Sequence, residues 1–510
     1  MIRKPEQVSE HRRGRGMVHE GTAGPASLGG EGSAAMHFDA YRRGTADIQR
    51  YIGRAIQAGE PVRARGRGWS LSGVGMTPRR PVEARGRSLG VYRLLEDDIL
   101  PRQGPDRLLC FVEGGLQIGQ VHDELSAMGL SLKTTGSNNG QTLAGAISTG
   151  THGSAFRFGA MQDFVAGLHL IVGPNRHIYL EPATAPAVTE AFVDRLGAEL
   201  VRDDTLFNAA LVGFGAFGVI QGVTIETRER FILHAYRRKH AHDEALRCAL
   251  ASLDFSQLGM PDGHGRDALH HFGAMFSPGS VASPESAWLD LMFEAAVPSD
   301  YEPPTSEELA VGPGVGTFEI MADVFRSVPA PLATASRAKA NHLVDQHLRD
   351  CYEVSLPRDL FRGRGDAQGV LAVDMGMPLD RALDALGVAF RAHRRVGSVM
   401  PLLFACRYVR GTQALLGFTQ FDPTCVLEVY TGDTAAARRF IRALWADLNI
   451  AGIPFTLHWG KWMGYLSPRR VREMYGDACE QWVTARAELL EDDATRRAFT
   501  NPFLQHAGLV

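Results

Sequence analysis

The chain has 510 residues, 45% of them hydrophobic and 22% charged, with a net charge of −3. That balance gives no reason to expect nucleic acid or an anionic membrane surface as a partner. The length implies more than one hydrophobic core, and no apolar run approaches the roughly 18–20 residues needed for membrane insertion.

The N-terminal His11-Arg-Arg-Gly-Arg-Gly16 contains a twin arginine, but residues 17–36 lack the apolar bulk of an export signal. Residues 1–36 read as a disordered tail, with Met17 and Met36 as alternative starts. Residues 46–57 carry Ile48, Tyr51, Ile52 and Ile56 at helical spacing. Residues 61–65 read as a short strand that runs into a first glycine-rich loop, 66–73, with Arg65 and Arg67 beside it. Such a loop is a candidate phosphate cradle, or a turn with ordinary surface arginines.

A strand is expected at 108–112, a helix at 117–129 closed by Gly129, and a strand at 130–133. Residues 136–153 then form a second glycine-dense stretch, uncharged apart from His152 and rich in hydroxyls and amides. It reads as a loop lining a ligand; the alternative is a tight turn system in a β-rich domain. A buried strand at 164–172 turns at 173–175 into a paired strand at 177–180. A helix at 205–211 leads to the small-residue segment 213–220 and a strand at 223–226. Gly213, Gly215 and Gly218 match G-x-G-x-x-G in spacing, but they precede a strand instead of opening a helix after one, so they are no dinucleotide fingerprint.

Beyond residue 231 the character changes. Residues 298–313 read as an exposed loop. Helices are expected at 333–350, 378–394 and 435–448, and strands at 371–375, 402–407 and 426–430. This order suggests an α+β domain with helices on one face of an antiparallel sheet. His240, His242, His264, His270 and His271 show no metal-ligand spacing, so no metal is expected. Six cysteines are scattered without C-x-x-C spacing, which fits reduced thiols in a cytoplasmic protein.

Four segments in order resemble the FAD-binding domain of the vanillyl-alcohol-oxidase superfamily, the p-cresol-methylhydroxylase type: 61–73, 135–153, 162–168 and 213–220. Segments at 374–378, 404–410, 427–430 and His458-Trp-Gly-Lys461 resemble, less strongly, the aldonolactone and alditol oxidase branch. Residues 240–365 match nothing in that pattern. The resemblance implies a two-subdomain FAD-binding fold at 37–230, an α+β substrate domain with an antiparallel sheet at 231–455, and a segment at 456–510 that returns to the flavin. It implies FAD held by Arg65, Gly66, Arg67, Gly68, Trp69 and Ser70, and by Gly136, Ser137, Asn139, Gly140, Thr142, Gly145, Ser148, Thr149, Thr151, His152 and Gly153. Gly218, Val219 and Ile220 complete that set.

Two departures from the family pattern bear on chemistry. Trp69 stands where many members carry the histidine that bonds covalently to the flavin, so non-covalent FAD is expected. Ala405-Cys-Arg407 stands where the branch often has Glu-x-Arg, and Glu428 stands where it has a pocket histidine. The implied activity is hydride transfer from a CH–OH carbon of a sugar, polyol, lactone or larger alcohol to FAD, with O2 or another acceptor. A reductase or a tailoring enzyme acting on C–C or C–N bonds is the alternative. Lys461 and Arg407 are the candidate cations, His458 the candidate base or donor, and Glu428 a second base or a substrate anchor; for His458 and Glu428 a purely structural role stays open.

Overall fold

A computed structural model describes residues 31–75, 82, 88–101, 107–261, 263–277, 286–303, 312–332, 337–361, 363, 369–397 and 402–510. Residues 1–30 of the expected tail lie outside these, and the first helix begins at Glu31 and runs to Gln57, well before the expected start at 46. Among the described residues the strands form two sheets, of seven and eight strands, and no helix is long and apolar enough to cross a membrane.

The first sheet contains β1 (Val91–Arg93), β2 (Leu108–Glu113), β3 (Leu130–Leu132), β4 (Val165–Ile171), β5 (His177–Glu181), β6 (Glu199–Arg202) and β7 (Val219–Glu229). Their order is β1-β2-β7-β4-β5-β6, with β3 also on β7. The long β7 is central because Val223, Thr224 and Ile225 are buried, with β2 on one side and β4 on the other. The chain then passes directly into the second sheet.

That sheet contains β8 (Phe231–Ala241), β9 (Leu269–Phe276), β10 (Ser286–Ala296), β11 (Cys351–Ser355), β12 (Val370–Pro378), β13 (Leu402–Val409), β14 (Thr424–Gly432) and β15 (Thr456–Leu457). It is antiparallel, in the order β11-β8-β10-β9-β13-β14-β12-β15. The antiparallel sheet and its α+β character thus match expectation. The stretch 240–365, which resembled nothing, supplies parts of four of its strands and the helix Thr317–Ser327.

Several local expectations are corrected. Residues 61–65 form no strand; Ala64 alone bridges Val82. The reason is Arg63, buried there, whose guanidinium donates to the carbonyls of Val74, Phe214, Gly215 and Phe499. The stretch 136–153 is not all loop: Leu143–Thr149 is helical. Thr142 caps it by accepting from the Gly145 amide, Leu143, Ala146 and Ile147 bury one face, and left-handed Gly150 (φ 76°) ends it. Of the loop expected at 298–313, residues 304–311 lie outside the described residues; Gly312 and Pro313 are buried, and the Pro313 carbonyl accepts from Arg237. The helix expected at 378–394 divides into a tight turn Leu379–Arg381, the α-helix Ala382–Ala392 and a wider turn from His393.

The C-terminal helices pack back on the first half. Arg486 donates to the Ala216 carbonyl, Asn501 to that of Val74, and the Val62 amide to that of Ala498.

Candidate active site

The two glycine-rich stretches meet. An added Cβ on Gly66 would lie 2.4 Å from Thr142 Oγ1, which is fixed by its capping role. One on Gly114 would lie 2.7 Å from the Ile220 carbonyl, so the closing segment also touches this junction. Among the described residues no protein acceptor meets the backbone amides of 66–70. Arg65 and Arg67 flank them, so the loop presents donors and positive charge together.

This junction forms one wall of a cavity of about 570 Å3. Its size lies within the range of about 300–1,000 Å3 typical of small-molecule sites. Of the expected residues, Arg65, Gly66, Arg67, Gly68, Trp69, Ser70, Gly136, Ser137, Thr142, Gly145, Ser148, Thr149, Thr151, His152, Gly218, Val219 and Ile220 line it, as do Arg407, Glu428, His458 and Lys461.

Three expected residues do not line the cavity. Asn139 is buried and accepts from Thr135, Gly140 packs under the Trp69 indole, and Gly153 packs on the Thr135 carbonyl. They shape the wall from behind.

The opposite wall is one face of the second sheet. Side chains two apart on a strand share a face, so Ala405 and Arg407 of β13, Glu428 and Tyr430 of β14, and Asp374 of β12 stand together. Ala405 pairs with Glu428, and Glu428 pairs with Asp374. The carboxylate absent at Ala405 is therefore supplied by its cross-strand neighbour. Glu428 is 2% exposed, so it is no surface residue. Its Oε1 lies 3.0 Å from Arg407 Nε, and its Oε2 accepts from Thr317 at 2.8 Å. Each oxygen thus has one protein partner, and Glu428 anchors the Arg407 guanidinium. Burial works against the Arg407 charge, but Glu428 and the neighbouring Tyr430, Glu319 and Asp374 outweigh it and raise its pKa.

Lys461 Nζ donates to the Tyr430 hydroxyl at 2.7 Å, lies between the Phe318 and Tyr430 rings, and stands 3.5 Å from Asp374 Oδ2. Burial opposes ionisation of Asp374; Lys461, then His152 and His458, overcome it and hold the carboxyl below its usual range. His458 is oriented by a backbone contact. Its Nδ1 accepts the Gly460 amide at 2.9 Å, so the neutral ring keeps its proton on Nε2 and acts as a donor. Burial pushes its pKa down to about 3. His152 Nδ1 meets the Gly153 carbonyl, so that nitrogen carries a proton, and Nε2 faces Asp374 at 3.6 Å.

His152, Asp374 and His458 present donor atoms within 4.8 Å of one another. The Gly460 contact removes His458 as a neutral ligand, and the Lys461 ammonium stands beside the group, so its chemistry does not suit a cation. Three of the five histidines weighed from sequence are engaged elsewhere: His270 with Glu294, His264 with Tyr236, and His240 with the Ala241 carbonyl.

Sequence reasoning missed Asp374, Tyr430, Phe318 and Glu319. A lone acid in the apolar run Leu371-Ala-Val-Asp-Met375 was the available sign for the first. Phe318 and Glu319 come from the unmatched stretch; Glu319 accepts from Ser137 and Asn138, and Phe318 meets the Trp69 ring at 6.4 Å.

In this cavity the two glycine-rich stretches open onto a buried polar cluster. Residues 40–178 match the FAD binding domain family. It is similar to a putative D-arabinono-1,4-lactone oxidase of Neurospora crassa, 34% identical over 125 residues, which is 24% of this chain and 19% of that protein. An L-gulono-1,4-lactone dehydrogenase of Mycobacterium tuberculosis is 28% identical over 201 residues, 39% of this chain and 40% of the relative. A long-chain alcohol oxidase of an uncultured marine euryarchaeote is 32% identical over 173 residues, 34% of this chain and 30% of the relative. The similarity is thus to aldonolactone-oxidase-like proteins, and the chain spans well under two thirds of each one's length.

Proposed function

We propose that the protein is an FAD-dependent oxidoreductase acting on a CH–OH group of a sugar, polyol, lactone or larger alcohol, with O2 or another acceptor completing the cycle. The observation that carries this reading is one cavity that joins the glycine clamp of the FAD-binding domain to Lys461, Arg407 and His458. The fit of the residues to FAD rests on the amides of 66–70, which meet no acceptor among the described residues, and on the glycine contacts at Gly66 and Gly114, where side chains would fill the cradle. FAD, when bound, supplies the acceptor for the hydride, and the hydroxyl proton would pass to Glu428 or to solvent. The protein's part is electrostatic: Lys461 offers a preorganised positive charge, His458 an Nε2–H donor, and Arg407, held by Glu428 and Thr317, a fixed guanidinium for a substrate oxygen. The similarity to lactone and alcohol oxidases or dehydrogenases favours this over a reductase or a C–C or C–N tailoring enzyme.

In this reading residues 37–230 bind FAD, 231–455 shape the substrate end, and 456–510 return Lys461 to it. The six free cysteines suit a reducing cytoplasm. The test is an anaerobic screen of alcohols, polyols and aldonolactones, read by bleaching of the oxidised-flavin absorbance. Bleaching by none of them would sink the proposal; peroxide on readmitting air marks an oxidase.

FAD is held without a covalent bond. Trp69 lines the cavity where a linking histidine would stand, and among the described residues no cysteine lines it. Acid precipitation should leave the flavin in the supernatant. Yellow colour retained in the washed pellet would contradict this.

A further inference from the structure

Two cations meet the substrate end of the cavity, and each is neutralised by a buried acid. Arg407 pairs with Glu428, and Lys461 lies 3.5 Å from Asp374. The two acids are cross-strand partners on β12 and β14, so the two pairs stand side by side on one face. Asp374 is 1% exposed, and its carboxylate oxygens are sealed from solvent, with Lys461 Nζ at 3.5 Å and His152 Nε2 at 3.6 Å beside them. It therefore acts on what surrounds it. His152 faces it from the second loop, His458 and Lys461 from the chain after β15, Glu428 and Tyr430 from β14, and Arg407 from β13. Lys461 is restrained on three sides, by Asp374, the Tyr430 hydroxyl and the Phe318 ring. A third acid, Glu319, lines the same end and accepts from two neutral donors, Ser137 and Asn138.

An uncompensated ammonium in a buried cavity would draw any small carboxylate or phosphate, because charge in a low-dielectric site is costly until paired. Here that demand is already met from within the protein. We propose that Asp374 is a positioning residue: by neutralising and restraining Lys461, it makes this end of the cavity select uncharged hydroxyl compounds over carboxylates and phosphates. This deepens, and rests on, the reading of the protein as a flavin-dependent alcohol oxidoreductase.

The test uses the holoenzyme and sulfite, a small anion whose reversible binding bleaches oxidised flavin. Wild type and Asp374→Glu bind sulfite weakly. Asp374→Asn leaves Lys461 uncompensated and tightens sulfite binding at least tenfold, about 1.4 kcal/mol. Loss of a buried anion also raises the flavin midpoint potential in that variant. In parallel, kcat/KM for an aldonate relative to its parent 1,4-lactone rises in Asp374→Asn and not in Asp374→Glu. Unchanged sulfite affinity in Asp374→Asn, or a wild type that takes aldonate as readily as lactone, overturns the proposal. If Asp374→Asn loses its flavin, Glu428→Gln makes the same change beside Arg407 and is judged by the same sulfite shift. If no alcohol or lactone reduces the wild type, the alcohol reading falls, while the sulfite shift still decides the role of Asp374.

Discussion

Lys461→Met is expected to slow flavin reduction by substrate about 10²–10³-fold, a barrier increase of about 3–4 kcal/mol, while FAD stays bound. The charge lost is a preorganised one: Nζ is fixed by the Tyr430 hydroxyl, flanked by two rings and held near Asp374. It needs no reorganisation when negative charge develops beside it. The variant leaves Asp374 buried without its cation, so Lys461→Met combined with Asp374→Asn serves as the control. The double variant should regain stability and stay slow. Stopped-flow reduction near the wild-type rate would remove Lys461 from the chemistry.

Glu428→Ala should destabilise the fold by about 3–5 kcal/mol, because it strands the Arg407 guanidinium in a buried setting. Glu428 makes two polar ties, to Arg407 Nε and to the Thr317 hydroxyl. The second tie joins β14 to the start of the helix Thr317–Ser327, whose Phe318 and Glu319 line the cavity. Denaturant unfolding of the single variants and of Glu428→Leu with Arg407→Met measures the pair. The double variant should cost less than Glu428→Ala, since removing both charges leaves neither unpaired. Additive losses would mean that the two side chains do not act as a unit.

Both results turn on residues whose importance was unevenly legible in the chain. The glycine stretches 66–73 and 136–153 were readable because backbone approach restricts residue type: Gly66 tolerates no Cβ against Thr142. The strands at 108–112, 164–172, 402–407 and 426–430 were readable from local apolar pattern, and each forms within a few residues of expectation. His458 and Lys461 were found through their motif, but the motif is silent on protonation. The Gly460 amide settles that by occupying Nδ1 and making His458 a donor.

What the sequence by itself determined is the cofactor end: glycine spacing, hydroxyls and the cap at Thr142 are local properties, set by backbone sterics within each segment. Only the tertiary structure decided the substrate end. Ala405, Glu428 and Asp374 are separated by long stretches of chain, and they become one row only through the register of β13, β14 and β12. Cross-strand register depends on how whole strands bury their faces, so no local pattern announces it. The same holds for Phe318 and Glu319, brought to the cavity from a stretch without a recognisable pattern by packing of their helix on that sheet.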